Sequence, residues 1–262
     1  MSVNNVLFDH PGPSARRRNT VITVVGWVAV AALLGALAWG LRKEFTAVKL
    51  QPFADAESWQ FYIIPGLLNT LKAAGIAVVT SVVLGLVLGC GRLSPVRAVA
   101  AVCGTLVEVF RAIPVLLMMI FWWYVAIYVL LLGRETAPLF GVVMGLTLYN
   151  ASVIAELVRS GVHSLPSGQR EAGLAVGMSE GQVLTSVQLP QAITAMLPSL
   201  VSQLVVILKD TALGTAILYS ELLKQLNDLA TYRGNVVAAM VLAAVIYIVI
   251  NFALTSVAHL VE

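Results

Sequence analysis

Four places in this 262-residue chain put ionisable side chains inside or beside apolar runs. Glu108 and Arg111 stand three residues apart, a spacing that puts both on one helix face and lets them pair. Glu156 and Arg159 repeat that spacing. Lys209 and Asp210 are adjacent, so they point apart if helical. Glu221 and Lys224 follow in a shorter amphipathic stretch. A charge within lipid costs several kcal/mol unless it is paired or wet, so each place is a candidate for function. The plainer account of the first two is a structural pair that pins a helix end or meets a partner. Lys209, Asp210 and Thr211 interrupt an apolar run, where a path for a polar solute would pass. Tyr149 and Asn150 are polar within another run, as path residues or as glue between helices.

No bond-breaking constellation accompanies these groups. The chain has no G-x-x-x-x-G-K-[ST] phosphate loop, so no nucleotide site of the usual kind is expected in it. His10, His163 and His259 are far apart and form no HExxH pattern. Cys90 and Cys103 lack metal-ligand or redox spacing and read as small apolar residues. No catalytic residue, metal or cofactor is expected in this chain.

The elements that hold these residues are membrane helices. The chain is 59% hydrophobic and 11% charged, against about 25% charged in soluble domains. Its mean hydropathy is +0.91. The basic residues are scattered along loops, which gives no sign of nucleic-acid binding. Residues 1–19 read as a polar cytoplasmic tail with the run Arg16-Arg17-Arg18. Residues 20–62 read as a first transmembrane helix (Thr20 to Leu41) and an outer segment with Trp59, Phe61 and Tyr62. Arg42-Lys43 after the apolar core argues for a retained anchor rather than a cleaved signal.

Residues 63–262 read as the main transmembrane domain. Spans are expected at about Ile64 to Cys90, Ala98 to Leu132 (broken near Pro114), Leu139 to Val158, from Gln191 outward to a break at Lys209, and Val236 to Val257. The fold is therefore an all-α integral membrane protein of about six transmembrane helices, with both termini cytoplasmic.

Between two spans lies a polar, Gly-punctuated loop, 160–190. Gly177 suits a helix C′ position. Ser179 with Gln182 makes a capping box, with Met178 and Val183 placed for a hydrophobic staple. Pro190 suits the start of the next helix. The segment reads as two short helices presented to a partner.

That loop resembles the E-A-A-x3-G-x9-I-x-L-P loop of ABC importer permeases. Glu171, Ala172, Gly173, Gly177, Leu189 and Pro190 match its anchors, with Gly173 in place of the second Ala and Val187 in place of Ile. The resemblance implies a core of five helices in the type I importer arrangement and a coupling role for these residues. VEVFRAIPVLL is similar to the E-x-x-R-G-T-P-L-L segment of permeases for polar amino acids, with Ala112 and Ile113 replacing Gly and Thr. LTLYNASVIAELVRSGVHSLPSGQREAG and LPQAITAMLPSLVSQLVVILKDTAL resemble the same subfamily, with Ala212 in place of Ser. The similarity runs from about Gly66 to the C-terminus. The VLFDHPGP start resembles actinobacterial glutamate permeases.

The resemblance implies a plasma-membrane permease of a bacterium that binds ABC ATPase subunits inside. ATP would be held by those subunits. An extracytoplasmic solute-binding protein would deliver an amino-acid substrate. A homologous permease, or a second copy, would complete the pathway. A substrate path through Lys209, Asp210, Thr211, Glu108, Arg111 and Asn150 is expected. Both charge signs occur at both ends of that list, so these residues do not choose between an acidic and a basic substrate. Two other classes stand beside this one. An ion-driven transporter would need paired carboxylates in its spans and usually a repeated, longer chain. A membrane scaffold would leave the break at Lys209 without a use.

Overall fold

The computed structural model describes residues 12–259, and all regular structure within them is helical. The chain divides into two compact units, Met1–Gln51 and Pro52–Glu262. In the first, helix α1 spans Pro13–Leu41. It begins seven residues before the expected Thr20. Pro13 sits in its first turn, where the missing N–H costs nothing, and arginine propagates helix well. The expected tail is thus helical from Pro13, and its first eleven residues, with most of the VLFDHPGP stretch, lie outside the described residues. The Arg42 guanidinium stacks on the Trp39 ring at 3.6 Å. Lys49 pairs with Glu44 at 2.7 Å. Helix α2 (Ala47–Ala54) leads into the second unit.

There the short helix α3 (Ala56–Ser58) runs through a π turn at Trp59–Ile63 into α4 (Ile64–Arg92). The segment expected to lie on the outer side is therefore largely helical. Helix α5 (Arg97–Ala112) and helix α6 (Val115–Tyr128) meet at a 101° bend. Proline pushes the residue before it into extended backbone, and Ile113 has φ −88°, ψ 126°. Pro114 then caps α6. Helix α7 spans Thr136–His163, longer at both ends than its apolar run. After it come α8 (Ser167–Ala175), α9 (Glu180–Val183), a π turn (Leu184–Gln188) and α10 (Leu189–Asp210). A 3-10 stretch (Thr211–Ile217), α11 (Leu222–Arg233) and α12 (Val236–His259) complete the unit.

Pro190 lies in the first turn of α10, as expected, although α10 is not set apart from α9 by a loop. The chain is helical without interruption from Glu180 to Asp210. The π turn widens the helix just before Pro190, which relieves the clash of the proline ring with the preceding turn.

Helix α7 is the centre of this unit and packs on α4, α6 and α10. Small residues make the approach possible. A Cβ at Gly85 would lie 2.7 Å from the Ile154 side chain, and one at Gly145 would lie 2.8 Å from the Met119 backbone nitrogen. Backbones that meet this closely gain the dispersion contacts that hold helices together in lipid. Ala73, Ala77, Met119, Leu146, Ile207 and Ile217 fill the core between them. Among the described residues, five helices are long and apolar enough to cross a membrane, and the bent α5–α6 pair brings the number to six when it is counted as one broken span. The expectation of an all-α membrane protein with about six spans is met.

Candidate functional site

The turn between α8 and α9 is built by local chemistry. Gly177 has φ +88°, and nothing lies within 4 Å of a Cβ placed there. Its N–H bonds to the Leu174 carbonyl at 3.0 Å, and the Met178 N–H bonds to the Gly173 carbonyl at 3.1 Å. This pair of bonds is the Schellman closure of a helix end. The Ser179 backbone N–H donates to Gln182 Oε1 at 2.8 Å, and the Gln182 N–H donates back to Ser179 Oγ. The predicted capping box is present. Two helices too short to persist alone are thus locked at their junction.

Tertiary contacts set the angle between them. Gly173 faces Val183, whose Cγ2 lies 2.8 Å from where a Cβ of residue 173 would be. Glycine in place of alanine lets α8 sit directly on the buried Val183. Arg170 forms a two-pronged ion pair with Glu180, donating through Nε at 3.0 Å and through Nη2. The hydrogen bond and the charge of Glu180 push the Arg170 guanidinium further above its ordinary range. Gln191 Nε2 ties α10 to Gln169 at 3.2 Å. Glu171, Ala172 and Pro190 are exposed, Leu189 is half-buried, and Val176 is 79% exposed on the outer side of the turn. An apolar residue so exposed beside a rigid turn is suited to meet a partner.

The residues proposed for a substrate path do not converge. Glu108 and Arg111 share a helix face but do not pair. Glu108 accepts from Arg92 at 3.0 Å, and Arg111 lies 3.5 Å from Glu156. Glu156 is the hub. It accepts from Arg92 at 2.7 Å and from two nitrogens of Arg159 at 3.0 and 2.5 Å. This cluster joins the ends of α4, α5 and α7 on the side of the 167–190 segment. We expect Glu156→Gln to destabilise the unit by about 1–3 kcal/mol, because three guanidinium groups lose their shared counter-charge. Thermal unfolding of the detergent-solubilised protein checks this, with Glu156→Asp keeping part of the loss back.

Asn150 is fully buried and ties α7 to α10. Its Oδ1 accepts from Gln203 Nε2 at 2.5 Å, and its Nδ2 donates to the Leu146 carbonyl at 2.8 Å. Lys209, Asp210 and Thr211 lie at the far end of α10. Lys209 lines an apolar cleft with Leu223, Met240 and Tyr247. Thr211 is buried and bonds to the Leu208 carbonyl at 2.6 Å.

Sequence reasoning gave Glu221 too little weight. Its side chain is fully buried and caps α11. It accepts from the N–H groups of Leu223 and Lys224 at 2.8 and 2.7 Å, from Thr215 Oγ1 at 2.7 Å and from the Tyr247 hydroxyl at 2.7 Å. Lys224 turns instead to Asp228. Glutamate is not among the usual N-cap residues, so only its isolation before an apolar pair pointed to it.

Comparison with known proteins fits this architecture. The family described as "Binding-protein-dependent transport system inner membrane component" matches residues 81–262. The chain belongs to this family. It is a multi-pass membrane permease of the ABC importer class. It is 45% identical over 219 residues to the "Glutamate transport system permease protein GluD" of Corynebacterium glutamicum, covering 84% of this chain and 80% of that one. It is 32% identical over 196 residues to the "Glutamate/aspartate import permease protein GltK" of Escherichia coli O157:H7, covering 72% and 87%. Among solved structures, "Crystal structure of an amino acid ABC transporter with histidines" superposes with a TM-score of 0.68 at 26% identity, covering 76% of this permease and 92% of that chain. A structure of the MetNI methionine transporter, at 21% identity and a TM-score of 0.63, shares the fold. The ion-driven and scaffold alternatives are set aside by family membership.

Proposed function

We propose that this permease carries glutamate or a closely related amino acid into a bacterial cell, driven by separate ATPase subunits. The observation that carries the coupling role is the locked, exposed helix–turn–helix at 167–190. It joins the core helix α7 directly to α10, so force applied to it reaches both. In this reading Glu171, Ala172, Gly173 and Gly177 face the ATPase, while Leu189 and Pro190 transmit its motion into α10. ATP-driven closure of two ATPases draws two such segments together and rocks the spans apart on the outer side. The permease pairs with itself or a homologous permease and receives substrate from a solute-binding protein. ATP stays with the ATPase, and this chain does no chemistry of its own. The segment lies in the cytoplasm, with the chain termini on the same side.

The two glutamate-named relatives support the substrate, and nothing in the Glu156 cluster opposes it, because arginines outnumber carboxylates there. Co-expression with the neighbouring transporter genes tests the proposal. The ATPase is expected to co-purify and to be stimulated by glutamate-loaded binding protein in lipid. Glu171→Lys reverses an exposed charge without touching the core, so it is expected to lower ATPase retention at least several-fold. Full retention together with normal uptake would remove the coupling role.

A further inference from the structure

At the end of the bundle opposite the 167–190 segment lies a polar cavity of about 380 Å³. The distance between the two is set by α7, whose 28 residues span about 42 Å. The cavity's volume is within the range of small-molecule sites, about 300–1,000 Å³. Lys72 of α4, Arg134 and Glu135 before α7, and Asn69, Tyr219 and Ser220 line it. Two cations against one carboxylate leave it net positive.

Neither cation is spent on the fold. Among the described residues, Lys72 and Arg134 make no ion pair, whereas Arg92, Arg111, Arg159, Arg170 and Lys224 of this unit each have a carboxylate partner within 4 Å. Lys72 stands about 12 Å along α4 from Ile64, within a span, where an ammonium group without a partner is costly. The neutral part of the wall, in contrast, is fixed. Asn69 Nδ2 donates to the Ser220 carbonyl at 2.8 Å, and the Tyr219 hydroxyl donates to the Asn69 carbonyl at 2.8 Å. Leu218, with φ +61°, turns the chain sharply so that Tyr219 and Ser220 reach the cavity. A strained turn and two bonds between residues distant in sequence therefore hold open a basin with two uncommitted cations.

We infer that this basin is an outer receiving site for the carboxylate groups of an acidic amino acid as it leaves the binding protein. The inference rests on the proposed glutamate reading. A dicarboxylate brings two anionic groups, and the basin offers two cationic donors, Lys72 and Arg134, on separate elements. The concave shape favours a small solute over a flat protein surface.

The test is glutamate uptake by the complete transporter in proteoliposomes, with loaded binding protein titrated to saturation. Lys72→Gln and Arg134→Gln are each expected to lower kcat about ten-fold, the effect of about 1.4 kcal/mol lost at one charged contact. The KM for binding protein should stay unchanged, and Lys72→Arg should restore most of the rate. Arg134 lies outside the helices, so its variant reports even where Lys72→Gln impairs assembly. Unchanged kcat in both Gln variants overturns the site. A raised KM at unchanged kcat also overturns it, and assigns the basin to an acidic surface of the binding protein. Wild-type transporter that takes up another amino acid and no glutamate overturns the substrate reading and the site together. That outcome is distinct from failure of the site alone, in which wild type and variants take up glutamate equally.

Discussion

Glu221→Leu is expected to destabilise the permease by about 3–5 kcal/mol, because it strands four hydrogen-bond donors in a dry interior. Those donors come from three elements: the 3-10 stretch through Thr215, the first turn of α11 through Leu223 and Lys224, and α12 through Tyr247. Next to them the Leu222 N–H bonds to Thr70 Oγ1 of α4 at 3.1 Å. The carboxylate is therefore the junction where the end of α10, the start of α11, α12 and α4 are pinned together. A buried charge is costly by itself, and here its solvation is replaced by fixed donors aimed at both oxygens. Leucine matches the volume but accepts nothing. Glu221→Gln keeps one acceptor and should lose about half as much. Tyr247→Phe removes one bond and should cost about 1 kcal/mol. The ordering Leu worse than Gln, and Gln worse than Tyr247→Phe, is measured as the thermal midpoint of the solubilised complex. The two milder variants remain readable if Glu221→Leu fails to fold. Equal midpoints for Leu and wild type would mean that the network contributes nothing to stability.

What the sequence reveals here is what is encoded locally. The spans α4, α7 and α12 are long apolar runs, and lipid admits few structures for such runs other than helix. The bend after Ala112 follows from one proline and the residue before it. The turn at Gly177 follows from glycine at a helix end and a Ser–Gln box within the next five residues. What is hidden depends on partners far along the chain. Arg92 and Glu156 are separated by 64 positions, so the spacing of Glu108 and Arg111 suggested a pair that the fold divides between Arg92 and Glu156. Tyr247 meets Glu221 across 26 positions, and no local pattern announces it. Lys72 is masked by its setting, since a single lysine among small residues barely changes the hydropathy of α4. Pro190 marks the first turn of α10 as the rule for proline predicts, but that the chain is already helical before it is not legible locally, because a π turn absorbs the misfit.

Gly177→Val is expected to uncouple the transporter while leaving the membrane core intact. The argument rests on backbone conformation alone. A side chain at this position meets no atom within 4 Å, so bulk is not the obstacle. At φ +88° a β-branched residue is strained, by roughly 1–2 kcal/mol or more for leaving its preferred region. Helix α8 has nine residues and depends on the bonds made by the Gly177 and Met178 N–H groups for its end. The cheapest relief is to open that closure, which releases α8 from α9 and separates Arg170 from Glu180. Asparagine tolerates the left-handed region far better than valine, so Gly177→Asn should stay within about two-fold of wild type. The measurement is amino acid imported per ATP hydrolysed in proteoliposomes. Valine should lower the ratio at least several-fold, alanine should fall between, and the thermal midpoint of the complex should barely move. The graded series separates turn geometry from contact, because side-chain size alone would make asparagine, larger than alanine, the worse of the two. If all three variants import as wild type does, the locked turn is not what transmits the stroke, and the coupling role passes to the flanking residues Glu171 and Leu189.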